Sequence, residues 1–184
     1  MDSGWMAVWP VAAFFLGGLA TQLTGLLNHR RQQAEKAEDA AAAFRQRRAD
    51  FELDHLQRLG EALQVLGRAV GRAHHTDVMT SRETGHYAGT LLGAEASDGL
   101  GSANRDVRML LGLVLDDSLR EQVQATQALL NVPSGMHRAP VEQAEDALVR
   151  AVFALDETQG RIAERIREIY LKVPAASDGI AASR

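Results

Sequence analysis

The sequence predicts an all-α fold: an amino-terminal transmembrane helix that continues into a long helical stalk and then an antiparallel helical bundle of three main arms. Three observations predict it. Ser3 to Asn28 is a run of 26 residues without a charge, and His29, Arg30 and Arg31 follow at once. Beyond that run, apolar residues recur at three- and four-residue spacing, the period of a helix with one buried face. No stretch alternates apolar and polar residues as a half-buried strand does.

The first element is read as an anchor over residues 1–28. A bilayer core needs about 20 apolar helical residues, and Trp5 to Leu27 supplies them, interrupted by Thr21, Gln22 and Thr24. Trp5 and Trp9 stand at one end, where indole rings favour the headgroup boundary. Pro10 falls in the first turns, where a missing N–H costs little. Asp2 precedes the run and the arginine pair follows it, the reverse of the charge order of a cleavable signal. Flanking arginines favour the cytoplasmic side. The expected location is therefore the plasma membrane, single-pass, amino terminus outside and carboxyl-terminal domain cytoplasmic, with membrane lipid as a partner. Ala13, Gly17, Thr21 and Gly25 recur every fourth residue and give a small-residue face on which two membrane helices could pack.

Residues 29–50 read as a helical stalk, rich in Ala, Glu and Arg, and residues 51–173 as the bundle. Leu56, Leu59, Leu63, Leu66 and Val70 keep strict three-four spacing and form the seam of the first arm, which is expected to end near His74. Thr80 and Glu83 read as a capping box opening a short helix that runs to about Ala96. Met109 to Leu115 is apolar apart from Gly112 and reads as a buried helix starting near Ala103. Ser118 and Glu121 read as the next capping box, and Asn131, Pro133, Ser134 and Gly135 as the turn that closes the middle arm. Pro140 suits a first helical position. From there Val141, Leu148, Val152, Leu155, Ile162, Ile166, Ile169 and Val173 hold one register, with Glu145 and Gln159 as its polar members. Pro174 stops this helix, and residues 174–184 read as an unstructured tail.

An amino-terminal span bearing Gly17 and Gly18, ended by Arg30 and Arg31 and followed by the helical run Arg45 to Leu66, resembles the uncharacterised single-pass membrane proteins of actinobacteria and their phages. The resemblance covers about a third of the chain and implies a topology, with no activity attached to it.

Candidate chemistry is sparse. Glu52 with His55 and Glu83 with His86 have the Glu-x-x-His spacing of helix-bundle di-iron sites. The two pairs lie too far apart along the arms to share one, and they read as solvated surface. His74, His75 and His86 cluster near a turn, where helix-end capping explains them better than zinc does, since no cysteine is present. No phosphate-binding loop, nucleophile elbow or His-Glu-x-x-His motif occurs. Arg45, Arg47 and Arg48 form too small a basic cluster for nucleic acid in a chain of net charge −4.

These observations predict a protein that is not an enzyme, with no cofactor and no metal. The expected function is that of a membrane-anchored helical interaction protein, a scaffold, adaptor or regulator. Its contacts with an unknown protein partner or with further copies of itself would run along the seam residues Leu56, Leu59, Leu63, Leu66, Leu148, Val152, Leu155, Ile162, Ile166 and Ile169. Two alternatives stay open: a phage- or host-derived lysis or exclusion factor acting on the membrane, and a ligand sensor with a pocket near Gly85, Gly89 and Gly93.

Overall fold

The computed structural model describes the backbone of residues 5–172 and the side chains of residue 29 and of residues 32–172. It is all-α: α1 (Trp5–Thr84), α2 (Ala94–Leu111), α3 (Asp117–Asn131), a 3-10 turn at Pro133–Gly135, and α4 (Val141–Lys172), with no strand among the described residues. Internal contacts group the chain into two compact units, Met1–Arg48 and Ala49–Arg184. In the first, the side chains from Gln32 to Arg48 are exposed along α1. The second is a helical bundle.

The membrane reading requires correction. Among the described residues no helix is long and apolar enough to cross a membrane. The physical reason lies in their patterning: each sets a narrow buried seam against a charged outer face, such as Arg58, Glu61 and Arg68 around Leu59 and Leu63 on α1. A transmembrane fold class, a plasma-membrane location with the amino terminus outside, and lipid as a partner are thus unsupported by the structure. So is the expectation of further copies packing through Ala13, Gly17, Thr21 and Gly25, whose side chains lie outside the described residues. The tail predicted at 174–184 also lies outside them.

Within the second unit four helices, not three arms, surround one core. Leu56, Leu59, Leu63, Leu66 and Val70 of α1 meet Ala103 and Val107 of α2, Leu119, Val123 and Leu130 of α3, and Ala151, Ile162 and Ile169 of α4. Each fully buried leucine contributes roughly 1.5–3 kcal/mol by leaving water. Direction follows from the cross-links. Gln159 Nε2 donates to the Gly60 carbonyl at 2.8 Å and Arg165 Nε to Glu52 Oε1 at 2.8 Å, so α4 descends as α1 climbs. His55 meets the Leu110 carbonyl at 3.0 Å, which returns the end of α2 to the beginning of the bundle. Residues 112–116 are too few to do anything but reverse the chain into α3. The result is an up-down-up-down arrangement.

Two details of α1 explain its closeness to α4. A Cβ built on Gly67 would stand 2.7 Å from Leu155 Cδ2, and one on Gly60 3.3 Å from Gln159 Oε1, so both glycines permit an approach that alanine would obstruct. The helix also runs on where the sequence predicts a turn at His74 to Thr76. It stops at Gly85, whose φ of +78° and N–H bond to the Ser81 carbonyl at 2.8 Å make it a left-handed terminator. Thr80 and Glu83, expected to open a helix, lie in the last turns of this one. Residues 85–93 are loop where the short helix from Thr80 to about Ala96 is expected, and α2 begins at Ala94, ahead of the helix expected from near Ala103. At α3 the cap is Asp116, whose side chain accepts from the Leu119 N–H at 3.0 Å, rather than Ser118.

Candidate functional site

The seam of α1 does not end with Val70. It continues at helical spacing in polar letters, His74, Asp77 and Ser81, all buried. They face the far end of the bundle, where α1 overhangs the shorter α2 and α3 and two loops close over it. Tyr87 plugs this end at 1% exposure, packed with Ala88, Ala144, Val78, Met136 and Val141 as a second apolar cluster. Its hydroxyl is 2.9 Å from His74 Nδ1, with the two rings tilted 46° to each other. Its carbonyl accepts from the Arg138 N–H at 2.9 Å, and the neighbouring Ala88 carbonyl lies 3.3 Å from His137 Nδ1. The loop after α1 and the loop before α4 are therefore stitched to each other and, through Tyr87, to α1.

Electrostatics at this cap follow from burial. It pushes the His74 imidazole below its ordinary 6.5, against the raising pull of Glu145 and Asp77, while His75 adds to the lowering. It pushes the Asp77 carboxyl up from 3.8, against His74 and His137. The Tyr87 phenol is pushed up to about 12 by burial, with the Asp77 charge adding to the effect. At neutral pH the cap thus holds a neutral imidazole and a protonated phenol. A phenol O–H is the stronger donor and an imidazole nitrogen the stronger acceptor, so we assign the bond as Tyr87 O–H donating to His74 Nδ1.

The opposite end is built differently. Glu52 and His55, expected on the surface, are buried. Glu52 pairs with Arg165 at 2.7 Å, and His55 caps the Leu110 carbonyl. Burial opposes the Arg165 charge, and the hydrogen bond and charge of Glu52 more than offset it, so the guanidinium pKa ends above its ordinary value. Phe51 stacks on His55 with centroids 5.5 Å apart. Around this polar pair the surface is apolar: Met109 is 74% exposed and Leu113 50%, with Phe51 and Leu115 also open to solvent, while Val114 is buried and Leu110 and Leu111 pack half-buried against the core. Tyr170 and Leu171 lie exposed on the last turns of α4, beyond Arg165.

The seam residues expected to carry contacts divide in the structure. Leu56, Leu59, Leu63, Leu66, Ile162 and Ile169 are buried inside the bundle, and Leu148, Leu155 and Ile166 are half-buried. Val152 is 52% exposed, because α4 turns Ala144, Ala147, Ala151 and Thr158 inward instead. Between α1 and α4 runs an open groove of about 260 Å³ with Leu56, Gly60 and Ile162 as its floor and Gln57, Gln64 and Gln159 at its sides. It lies away from Gly85, Gly89 and Gly93, where a sensor pocket was anticipated. Among the described residues no three His, Asp or Glu side chains gather as a metal site, and His75 and His86 stand exposed while His74 is buried.

Polar cross-links missed from the sequence join the remaining helices. Asn104 of α2 and Asn131 of α3 exchange amide bonds at 2.8 and 2.9 Å, and Gln127 Nε2 donates to the Asn104 carbonyl at 3.0 Å. Thr126 and Thr158 join α3 to α4 at 2.8 Å, both buried. Their one signal is position: each falls at helical spacing from a core residue, where an apolar letter would be expected.

No family model matches this chain, and neither a curated protein nor a solved structure shows detectable similarity to it. The likeness to actinobacterial and phage single-pass proteins, drawn from Gly17, Gly18, Arg30, Arg31 and the run 45–66, is corrected accordingly: no family model matches the chain, and among the described residues no helix is long and apolar enough to cross a membrane.

Proposed function

We propose that the protein is a helical-bundle interaction module, without catalytic chemistry of its own, that docks a protein partner on the apolar end formed by Met109, Leu113, Leu115 and Phe51. The exposure of these residues around the 112–116 loop carries the reading. Contiguous exposed apolar surface marks contact sites, because leaving it in water costs about 25 cal/mol per Å². The ion pair of Glu52 with Arg165 and the His55 bond to the Leu110 carbonyl fix the surface beneath, so it is offered on a rigid support. The buried polar groups at this end, Glu52 and His55, are engaged in bonds to neighbouring helices, which supports a binding role over a reactive one.

The experiment is photo-crosslinking in the native host, with the crosslinker placed at position 113 or, for comparison, at position 124 on the outer face of α3. A discrete crosslinked protein from 113, lost on Met109→Ser with Leu115→Ser, supports the docking end. The same pattern from both positions, or one that survives the double substitution, refutes it.

A further inference from the structure

The cap at the Tyr87 end carries strain as well as polarity. Among the described residues Ala88 and Arg138 are the two non-glycine positions with positive φ, at 46° and 59°, and they sit on either side of the stitch between the loops. Side chains with a Cβ avoid this region, and such positions persist only where surrounding contacts hold them. Here the holding contacts are few: the Tyr87 carbonyl to Arg138, the Ala88 carbonyl to His137, and the Tyr87 hydroxyl to His74. The last pins Tyr87 to the body of α1 well before its end, while at the end itself the Thr84 side chain bonds the His86 backbone.

We propose that His74 is the proton-sensitive pin of a latch: with its ring neutral, Tyr87 is held on α1 and the loops at 85–91 and 136–140 stay closed, and when the ring takes up a proton in mildly acid solution they loosen.

The bond geometry gives the direction. Nδ1 accepts the Tyr87 hydroxyl at 2.9 Å. A proton on Nδ1 turns that acceptor into a donor, and the phenol O–H loses its partner at a site 1% exposed, where water cannot replace it. The charge itself arises on a ring 8% exposed. The groups facing that ring are Asp77 and His75 on α1, Glu145 on α4, Tyr87 on the first loop and, across Asp77, His137 on the second. Asp77 and Glu145 favour the imidazolium; burial and His75 oppose it, and burial is the largest influence. The ring therefore takes its proton more readily with the cap open than closed, and protons pull the equilibrium toward the open form. Opening uncovers further apolar surface on Val78, Met136 and Val141, which are half-buried against Tyr87 in the closed cap.

The test is amide hydrogen exchange of the full chain at pH 7.5 and 5.5, each peptide normalised to its intrinsic rate. Peptides covering 85–91 and 136–140 should lose protection several-fold at the lower pH, because the closed ring is harder to protonate than the open one, while α3 holds its protection. His74→Gln, whose amide oxygen can still accept the phenol, should keep the cap protected at both values. Tyr87→Phe should leave it loose at both. His137→Asn should respond as the unsubstituted chain does. Equal cap protection at the two pH values, a response that survives His74→Gln, or α3 loosening in step with the cap would each overturn the latch.

Discussion

At the cap, a tyrosine at 1% exposure is sealed beneath two loops, whereas around residues 112–116 a methionine stands 74% exposed on the same bundle. Both ends face the same geometric difficulty, since helices of 15 and 18 residues must finish against partners that run further. The cap resolves it by folding chain over the overhang and satisfying the polar groups that this buries. The other end buries Glu52, His55 and Val114, half-buries Arg165, and leaves Met109, Leu113, Leu115 and Phe51 in solvent. The closed cap and the proposed docking surface thus lie at opposite ends, and substitutions can separate them.

The largest effect is expected from Tyr87→Ala. It removes a fully buried ring and the bond to His74, and substitutions of this class cost about 3–5 kcal/mol. Urea unfolding of the full chain should show it, with crosslinking from position 113 unchanged until the bundle itself unfolds. If the variant matches the parent in stability, the cap is not a closing element. Next comes Glu52→Ala at the other end, which strands a partly buried guanidinium. A cost of about 2 kcal/mol is expected, below that for a fully buried pair because Arg165 keeps some solvent contact. Glu52→Gln, which keeps one hydrogen bond, should lie between this variant and the parent.

These positions show how far the sequence was legible. The three-four spacing of Leu56, Leu59, Leu63 and Leu66 identifies a buried helix face because hydrophobic burial writes itself in apolar letters. The same face continues through His74, Asp77 and Ser81, and the continuation was illegible because polar residues on a helix face look solvated until their partners are known. The partners of His74 and Asp77 come from loops, at Tyr87 and His137, and no local rule pairs them, whereas Ser81 donates to the Val78 carbonyl one turn back. The sequence places Gly85 inside a short helix running to about Ala96, when its positive φ makes it the terminator of α1. The apolar run Met109 to Leu115 was read as buried, yet hydrophobicity alone cannot distinguish a core strip from a docking strip. Val114 goes in while Leu113 and Leu115 stay out because the chain is reversing there.

The pH dependence of the cap should be moderate and two-sided. His74 has its folded pKa below the unfolded 6.5, so its contribution is present above pH 6.5 and is lost as the pH falls below that value. Asp77 has its folded pKa above the unfolded 3.8, so its ionised form costs stability at neutral pH, and that cost disappears as the pH drops through the folded value toward 3.8. Asp77→Asn removes the buried charge and the attraction it offers to an imidazolium. The variant should be more stable than the parent at pH 7.5, by on the order of 1 kcal/mol, and should lose more on going to pH 5.5. Equal acid sensitivity in the two chains would show that Asp77 does not act on His74.

The smallest effect tests the packing shared by both ends. Gly71 lies on α1 with open space around the position of an added Cβ, whereas at Gly67 that atom would stand 2.7 Å from Leu155 Cδ2. Gly71→Ala should therefore stabilise the bundle by about 0.5–1 kcal/mol, the ordinary gain from removing backbone freedom in a helix. Gly67→Ala carries the same entropic gain and must move Leu155 to realise it, so it should be neutral or destabilising. Two identical substitutions one turn apart then report whether the approach of α4, rather than helix propensity, selects glycine on this face. If both variants gain equally, α4 has room to retreat, and the close contact at Gly67 contributes nothing to holding the cap and the docking end in register.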